Sequence, residues 1–505
     1  MKKEKNKLFL GPVIILIILT IIVMISSAIL SWLDFDGQKT AIVNGTLETS
    51  LVIIKNIFTV DGIKYLFGNV VTNFKIFEPL VLLIIALIAI SISETSGFIG
   101  AIAEPFKKLK FRYIILFTMF IGIISSFIGD YSYVILLPFM AIFYKKLGYN
   151  PIIGIITIFL AITLGYGIGV IYDYNDYQLG QLTELAATID VDKNYKFTLF
   201  SNLYIMIGST ILLTILGTIL IEKFLLPKIE KHKVENGEEQ VISKKALCVS
   251  IITFVILSLM FLYMLIPNLF NSGILLDNEQ EVYIAKLFSD TSPFKEGFIY
   301  IFLIIVMFSS WVYGEFSGNI KNSYEYSLGL SKNFEGLGYS FVLLFFLAQL
   351  IGILNWTNIS EVITVRLVDF IASLPFSGIP LILVLFIIVI IISIFIPNIL
   401  TKWILMSPLI VPLFMRSNIN PDFTQFIFKV ADGIGKSITP LFAYYLIMLA
   451  LVNKYNSDSD FKVTVFGTMK MILPVILMIT GLWLLIIIGW YIIGLPIGLR
   501  GYPTL

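Results

Sequence analysis

The sequence predicts an all-α polytopic membrane protein with about nine or ten transmembrane helices plus two helical hairpins. Three observations carry that reading. Hydrophobic residues make up 58% of the 505 and charged residues only 13%, roughly half the charged share of a soluble domain. Mean hydropathy is +0.94, and the apolar residues gather in runs of about 20, the length that crosses the roughly 30 Å hydrocarbon layer as a helix. These runs lack the period-two alternation of membrane strands, so helices are the closed hydrogen-bonded form open to them.

In chain order the candidate spans are Leu8–Leu30, Leu80–Ala103, Ile152–Tyr172, Leu199–Leu225, Ala246–Ile266, Phe298–Tyr313, Tyr339–Leu354, Leu381–Phe395, Ile434–Val452 and Met471–Ile493. The first follows MKKEKNK and is too long for a signal-peptide core, so it reads as a retained span with its lysines inside the cell. Lys107, Lys108, Lys110 and Arg112 follow the second span. Lys145 and Lys146 precede the third, and Lys228, Lys231, Lys233, Lys244 and Lys245 separate the fourth from the fifth. The segment from Asp173 to Lys196 is instead rich in Asp and Glu. This alternation places the N-terminus inside through Ala246; beyond residue 266 the charges thin out and assign no side.

Two segments do not read as simple spans. Phe111–Tyr144 is broken at Gly129-Asp130 and carries lysines at both ends, which describes a hairpin entering and leaving on one side. Pro397–Val430 has Pro397-Asn398 near its start and Arg416 to Pro421 in its middle. The two also align with each other. LPFMAIFYKKLGYNP (Leu137–Pro151) matches SPLIVPLFMRSNINP (Ser407–Pro421) without gaps, pairing Pro138 with Pro408, Asn150 with Asn420 and Pro151 with Pro421. A glycine-broken helix follows each, GYGIG from Gly165 and ADGIG from Ala431. An internal, inverted repeat with interrupted helices is the sequence pointer to a carrier's binding site.

Ionisable residues within the spans mark candidate function. Asp432 lies in KVADGIGKSITP, with Lys429 three residues before it and Lys436 four after. Spacing on one helix face would let Lys429 and Asp432 pair; Asp432 then reads as a substrate- or ion-linked charge, the alternative being a buried structural ion pair. Gly433 and Gly435 would unwind the helix and free carbonyls for Na+ and N–H groups for a carboxylate. Asp173 and Asp176 follow the first glycine-broken helix, or else sit in a solvated loop. Asp130 lies at the first hairpin break, and its counterpart at the second is Asn398, a neutral oxygen donor. Lys402 and Trp403 follow, the ring being able to stack on an aromatic ligand or simply to pack. Glu94 would carry a proton or pair with a lysine. Cys248 is one cysteine without a disulfide partner, and one histidine, His232, is too few for a zinc site or a catalytic triad. A net charge of +2 implies no nucleic-acid partner.

GIKYLFGNVVTNFKIFEPL from Gly62, GDYSYVILLPFMAIF from Gly129, LAQLIGILNWTN from Leu347, FKVADGIGKSITP from Phe428 and YIIGLPIGLRGYP from Tyr491 together resemble the AbgT family of p-aminobenzoyl-glutamate transporters over essentially the whole chain. That resemblance implies a homodimer in the inner membrane. It implies an inner transport domain near 77–197 and 379–460, and a scaffold near 8–76, 198–378 and 461–505. It implies import of p-aminobenzoyl-glutamate or a related aromatic, folate-like anion, or export of sulfonamide antifolates, coupled to H+ or Na+ and without a cofactor. The family's important positions map to Asp176, Trp403, Pro421, Asp432 and Pro440. A cation would sit near Asp176 and Asp432, Lys429 would offset the substrate's charge, and Trp403 would pack its ring. The chain departs from the family pattern at Lys429, where the family has arginine, and also at Ile399, Leu400, Thr401 and Gly169; these changes put the substrate rather than the fold in doubt. Rivals from other classes are an intramembrane polyprenyl-phosphate transferase, for which the Asp173–Asp176 pair is a weak motif, and an ion channel.

Overall fold

A computed structural model describes residues 10–43, 45–165, 167, 169–170, 172–229, 241–456, 463–499 and 501–505. His232, Lys231, Lys233, the N-terminal lysines and Tyr166 and Ile168 of the GYGIG stretch lie outside the described residues.

The chain opens with α1 (Pro12–Trp32) and a β-hairpin, β1 (Asp36–Val43) paired antiparallel with β2 (Thr46–Ile53). The sequence reading had no strand here, although Asn44-Gly45 between alternating residues is a strong hairpin signal. The longer helices that follow are α2 (Glu78–Thr95), α3 (Phe111–Ile124), α4 (Tyr131–Lys146), α5 (Pro151–Leu164), α6 (Tyr174–Asp190), α7 (Leu203–Ile229), α8 (Lys244–Tyr263) and α9 (Pro293–Ser317). The second half holds α10 (Gly338–Thr357), α11 (Ile359–Ser373), α12 (Ile379–Phe395), α13 (Ile399–Arg416), α14 (Pro421–Lys436), α15 (Ala443–Lys454) and α16 (Val465–Ile493). Among the described residues, nine helices are long and apolar enough to cross a membrane, and α5, α12 and α15 are shorter apolar helices.

Both expected breaks are present. Gly129, at φ +55°, ends the short turn after α3, and α4 starts at Tyr131. The second break is at residues 396–398, between α12 and α13, and residues 417–420 separate α13 from α14. Two expected spans prove shorter. Ile152–Tyr172 ends as a helix at Leu164. Its 14 residues rise roughly 21 Å, so α5 is shorter than the roughly 30 Å hydrocarbon layer is thick. Ile434–Val452 is not one helix: α14 ends at Lys436, and α15 begins only at Ala443.

Every residue of α5 and α14 is buried. These two helices form the centre, in contact with each other, and α14 also packs on α6. Around them α3, α4 and α15 pack on α5, and α12 and α13 on α14. The element order recurs in both halves. Asn150 and Asn420 cap α5 and α14 by accepting from the N–H two residues on, at 3.0 and 2.8 Å. Each is followed by proline at the first helical position, where its missing N–H costs nothing. By contrast α1 and α8 leave most of their apolar surface outward, 17% and 11% buried, as lipid-facing helices do.

Candidate functional site

Most of the buried charges among the described residues cluster around α14. Asp432 is fully buried. Its Oδ1 accepts from the Lys402 ammonium on α13 and from Ser393 Oγ on α12 at 2.9 Å; Lys402 Nζ also donates to Ser393 Oγ at 2.9 Å. Lys436 Nζ lies 2.9 Å from Asp432 Oδ2, an ion pair outside hydrogen-bond alignment. Gly435 makes this closeness of α12 and α14 possible. A Cβ there would stand 2.5 Å from Ser393 Cβ and 2.6 Å from the Ile390 carbonyl. Gly433 and Gly435 therefore do not unwind the helix as expected; α14 runs unbroken through both, and the break falls at residues 437–442.

The expected Lys429–Asp432 pair is absent. Lys429 reaches across to Asp176 in the first turn of α6, while Asp432 is held by Lys402 and Lys436. Here the first-half helix is unwound as expected. Gly167 has φ +72°, and a Cβ on it would lie 2.1 Å from Lys429 Cε, so the ammonium passes where only glycine leaves room. Asp173 and Asp176 form a capping box at the start of α6, with Asp173 Oδ1 accepting from the Asp176 N–H at 2.8 Å. Asp173 is buried rather than solvated.

By formal charge, Asp432 with Lys402 and Lys436 carries one positive charge in excess. Asp173 and Asp176 with Lys429 carry one negative. A cation at Asp432 does not fit, because two tethered ammonium groups already hold its carboxylate. The Asp173–Asp176 pair shares the one ammonium of Lys429. Among the described residues no group of three or more His, Cys, Asp or Glu could hold a metal ion.

Trp403 is fully buried. Its ring packs on Phe428 at 4.4 Å between centroids, and its Nε1 donates to Thr183 Oγ1 at 3.0 Å. Thr183 in turn reaches Gln425 Oε1 at 2.6 Å. Pro421 starts α14, and the Asn420 N–H beside it donates to the Pro503 carbonyl at 2.9 Å, so the C-terminal GYP segment docks on the start of that helix. Pro440 sits half-buried in the break before α15. Glu94 accepts from Asn333 Nδ2 at 2.9 Å, and Lys454 donates to the Asn333 carbonyl at 2.8 Å.

A cavity of about 580 Å³ opens where the breaks meet the β-hairpin side of the chain. Asp130, from the first break, and Pro397 and Asn398, from the second, line it with Phe442, at the end of the break before α15, and Tyr444, in the first turn of that helix. Lys39 of β1 and Glu361 of α11 pair at 2.9 Å on its wall, and Glu78 and Asn355 add to its polar surface. Asn398 Oδ1 accepts from the Thr401 N–H at 2.9 Å. Of the residues predicted from sequence, Asp130 and Asn398 line this cavity. Asp176, Lys429, Asp432, Gly433 and Trp403 lie in the buried layer behind it. The sequence reading missed Ser393, Lys436 and Lys402 as partners of Asp432, although a lysine in the apolar run ILTKWILM was itself a signal.

The sequence matches the family described as "AbgT putative transporter family" over residues 3–505. The p-aminobenzoyl-glutamate transport protein of Escherichia coli (strain K12) is 26% identical over 501 residues, 98% of this chain and 94% of that one. Among solved structures, the Alcanivorax borkumensis YdaH transporter superposes with a TM-score of 0.50 at 24% identity, covering 97% of this chain and 100% of its own. MtrF of Neisseria gonorrhoeae, described as illuminating a class of antimetabolite efflux pumps, gives 0.52 at 23% identity, covering 98% of each chain. These two likenesses carry the fold alone.

Proposed function

The chain belongs to the AbgT putative transporter family, and on that premise we propose that it is an ion-coupled secondary carrier of p-aminobenzoyl-glutamate or a closely related aromatic organic anion, working as a homodimer in the inner membrane. The observation that carries this reading is the cavity where three chain breaks converge. At about 580 Å³ it falls within the usual 300 to 1,000 Å³ of small-molecule sites. Phe442 and Tyr444 offer ring faces to an aromatic group, while Asn355, Asn398 and Asp130 offer polar contacts. Unwound backbone at membrane depth is tolerated where it lines such a cavity.

The coupling cation, H+ or Na+, would be held at Asp173 and Asp176, where Lys429 leaves a negative charge unbalanced; a bound cation there would cancel that charge and so lower the repulsion met by an anionic substrate. The inner domain, near 77–197 and 379–460, would move against a scaffold near 8–76, 198–378 and 461–505, with the two halves as inverted copies. Sidedness follows from threading the helices with the N-terminus inside, which puts the β-hairpin outside and Lys454 and Lys470 inside, as the positive-inside rule prefers.

A second reading, export of uncharged sulfonamide antifolates, is favoured by the lining itself, where Glu78, Asp130 and Glu361 outnumber Lys39. Proteoliposomes loaded against an imposed Na+ or H+ gradient test both. Gradient-driven uptake of labelled p-aminobenzoyl-glutamate that Asp176→Asn abolishes is the expected result. Movement of a sulfonamide alone would transfer the assignment to efflux, and movement of neither would remove the substrate class.

A further inference from the structure

A buried phenol hydroxyl usually has a hydrogen-bond partner. Among the described residues, the most deeply buried tyrosines follow that rule with one exception. Tyr133 donates to Thr163 Oγ1 at 3.3 Å, Tyr445 donates to the Val465 carbonyl at 2.9 Å, and Tyr144 shares a bond with the Thr118 hydroxyl at 3.0 Å. Tyr313 accepts from the Ser243 N–H at 3.2 Å. Tyr444 is 3% exposed and its hydroxyl bonds to no described residue. Its Oη is also not one of the sealed, unsatisfied oxygens among those residues, and Tyr444 lines the cavity assigned to the substrate. The small open part of this side chain therefore includes the hydroxyl.

The ring that carries the hydroxyl is held in place. It stacks on Tyr133 at 4.7 Å between centroids and 7° between planes, and meets Phe442 edge-on at 5.2 Å and 76°. Tyr133 in turn meets Phe442 edge-on at 5.2 Å and 84°. Three rings in mutual contact fix the direction of the oxygen before a ligand arrives, which lowers the cost of binding one. Packing does not account for the hydroxyl, since a phenylalanine ring would stack as well.

The surroundings decide what this oxygen can bind. Glu78 and Asp130 line the same cavity, and their charges act on Tyr444. An ionised carboxylate only accepts hydrogen bonds, while a tyrosine hydroxyl both donates and accepts. A ligand carboxylate would gain one bond from Tyr444 and meet two like charges. A primary aromatic amine is uncharged and brings two N–H donors. One suits Tyr444 Oη and the other suits a carboxylate, with the ligand ring against Phe442.

We propose that Tyr444, acting with Glu78, recognises a primary amine on the aromatic ring of the substrate and so fixes which end of the ligand enters this part of the cavity. The inference rests on the carrier reading above and adds the groups that select the amine. A sulfonamide antifolate carries the same aromatic amine as p-aminobenzoyl-glutamate, so the inference holds under either substrate reading.

The test compares p-aminobenzoyl-glutamate with p-methylbenzoyl-glutamate, which has nearly the same size and charge but no N–H on its ring, in titration calorimetry on the purified full-length protein. Wild type is expected to favour the amine by about tenfold or more. Tyr444→Phe should weaken p-aminobenzoyl-glutamate by about fivefold or more and leave the methyl analogue within about twofold. Glu78→Gln should narrow the preference in the same way. Tyr444→Phe removes one oxygen and keeps the three stacked rings, and binding of the methyl analogue reports that the variant has folded. Equal weakening of both ligands by Tyr444→Phe would mean a structural role and overturn the proposal. A wild type that binds both alike would overturn it too, as would a preference that survives both substitutions. Failure of the wild type to bind either compound would instead remove the carrier reading and this inference with it.

Discussion

Lys429 on α14 forms its ion pair with Asp176 at the start of α6 rather than with Asp432 three residues along its own helix. The pair ties the central helix of the second half to the unwound stretch of the first. Both side chains are about 95% buried, so removing one partner leaves a bare charge. Asp176→Asn or Lys429→Met alone should cost about 3 to 5 kcal/mol. The double variant should lose clearly less than the sum, read as a coupling energy in thermal or denaturant unfolding in detergent. Additive losses would show that the two side chains do not interact.

Asp432 holds two lysines where Asp176 holds one, so its loss should be the larger. Asp432→Asn leaves Lys402 and Lys436 facing each other in a buried site. Adding Lys402→Met should recover much of the lost stability while transport stays absent. A single variant as stable as wild type would contradict the arrangement of the cluster.

Gly435 sets the distance between α12 and α14. A methyl group at 2.5 Å from Ser393 Cβ and 2.6 Å from the Ile390 carbonyl must push the helices apart, costing about 1 to 3 kcal/mol. Gly435→Ala should therefore lower both the unfolding midpoint and uptake, whereas Gly481→Ala, with nothing within 4 Å of its Cβ, should do neither.

Trp403 combines packing with one hydrogen bond. Trp403→Phe keeps a ring on Phe428 but loses the bond to Thr183, an expected cost of about 1 kcal/mol. Trp403→Ala also opens a cavity and should cost about 3 to 5 kcal/mol. Similar losses in unfolding measurements would mean that the hydrogen bond, not the packing, dominates.

Outside the membrane, Asp277 accepts from Ser289 and Thr291 hydroxyls at 2.6 and 2.7 Å and from the Glu279 N–H at 3.0 Å. These bonds hold its carboxyl down at about 2. A folded value below the unfolded one, near 3.9, gives stability that is present above about pH 4 and lost only as pH falls towards 2. The drop in thermal midpoint caused by Asp277→Asn should thus be the same at pH 5, 6.5 and 8. A drop that changes across that window would contradict it.

The membrane helices were legible because each apolar run had to reach a fixed length. The breaks were legible because Gly129-Asp130 and Asn420-Pro421 are poor helix interior. What could not be read was which charges meet. Local spacing favours Lys429 with Asp432, but Lys429 turns to Asp176, 253 positions away in the chain. Asn44-Gly45 is a turn signal, but hydropathy, the signal that marks the membrane helices, carries no mark of a short two-stranded hairpin. Gly433 and Gly435 looked like unwinding residues, yet a buried helix can need glycine for close packing instead, and sequence does not separate the two uses.

The central claim is that substrate occupies the cavity where the chain breaks converge. The chain has one cysteine, the exposed Cys248. In a Cys248→Ser background, Ile404→Cys places a thiol on the cavity wall, at a position 46% exposed and lining the space. The direct measurement is the rate at which a small charged thiol reagent modifies it in proteoliposomes. The account predicts that p-aminobenzoyl-glutamate slows labelling in a saturable way and that labelled protein no longer carries substrate. Labelling at one rate with and without substrate, together with undiminished uptake by the labelled protein, would contradict it.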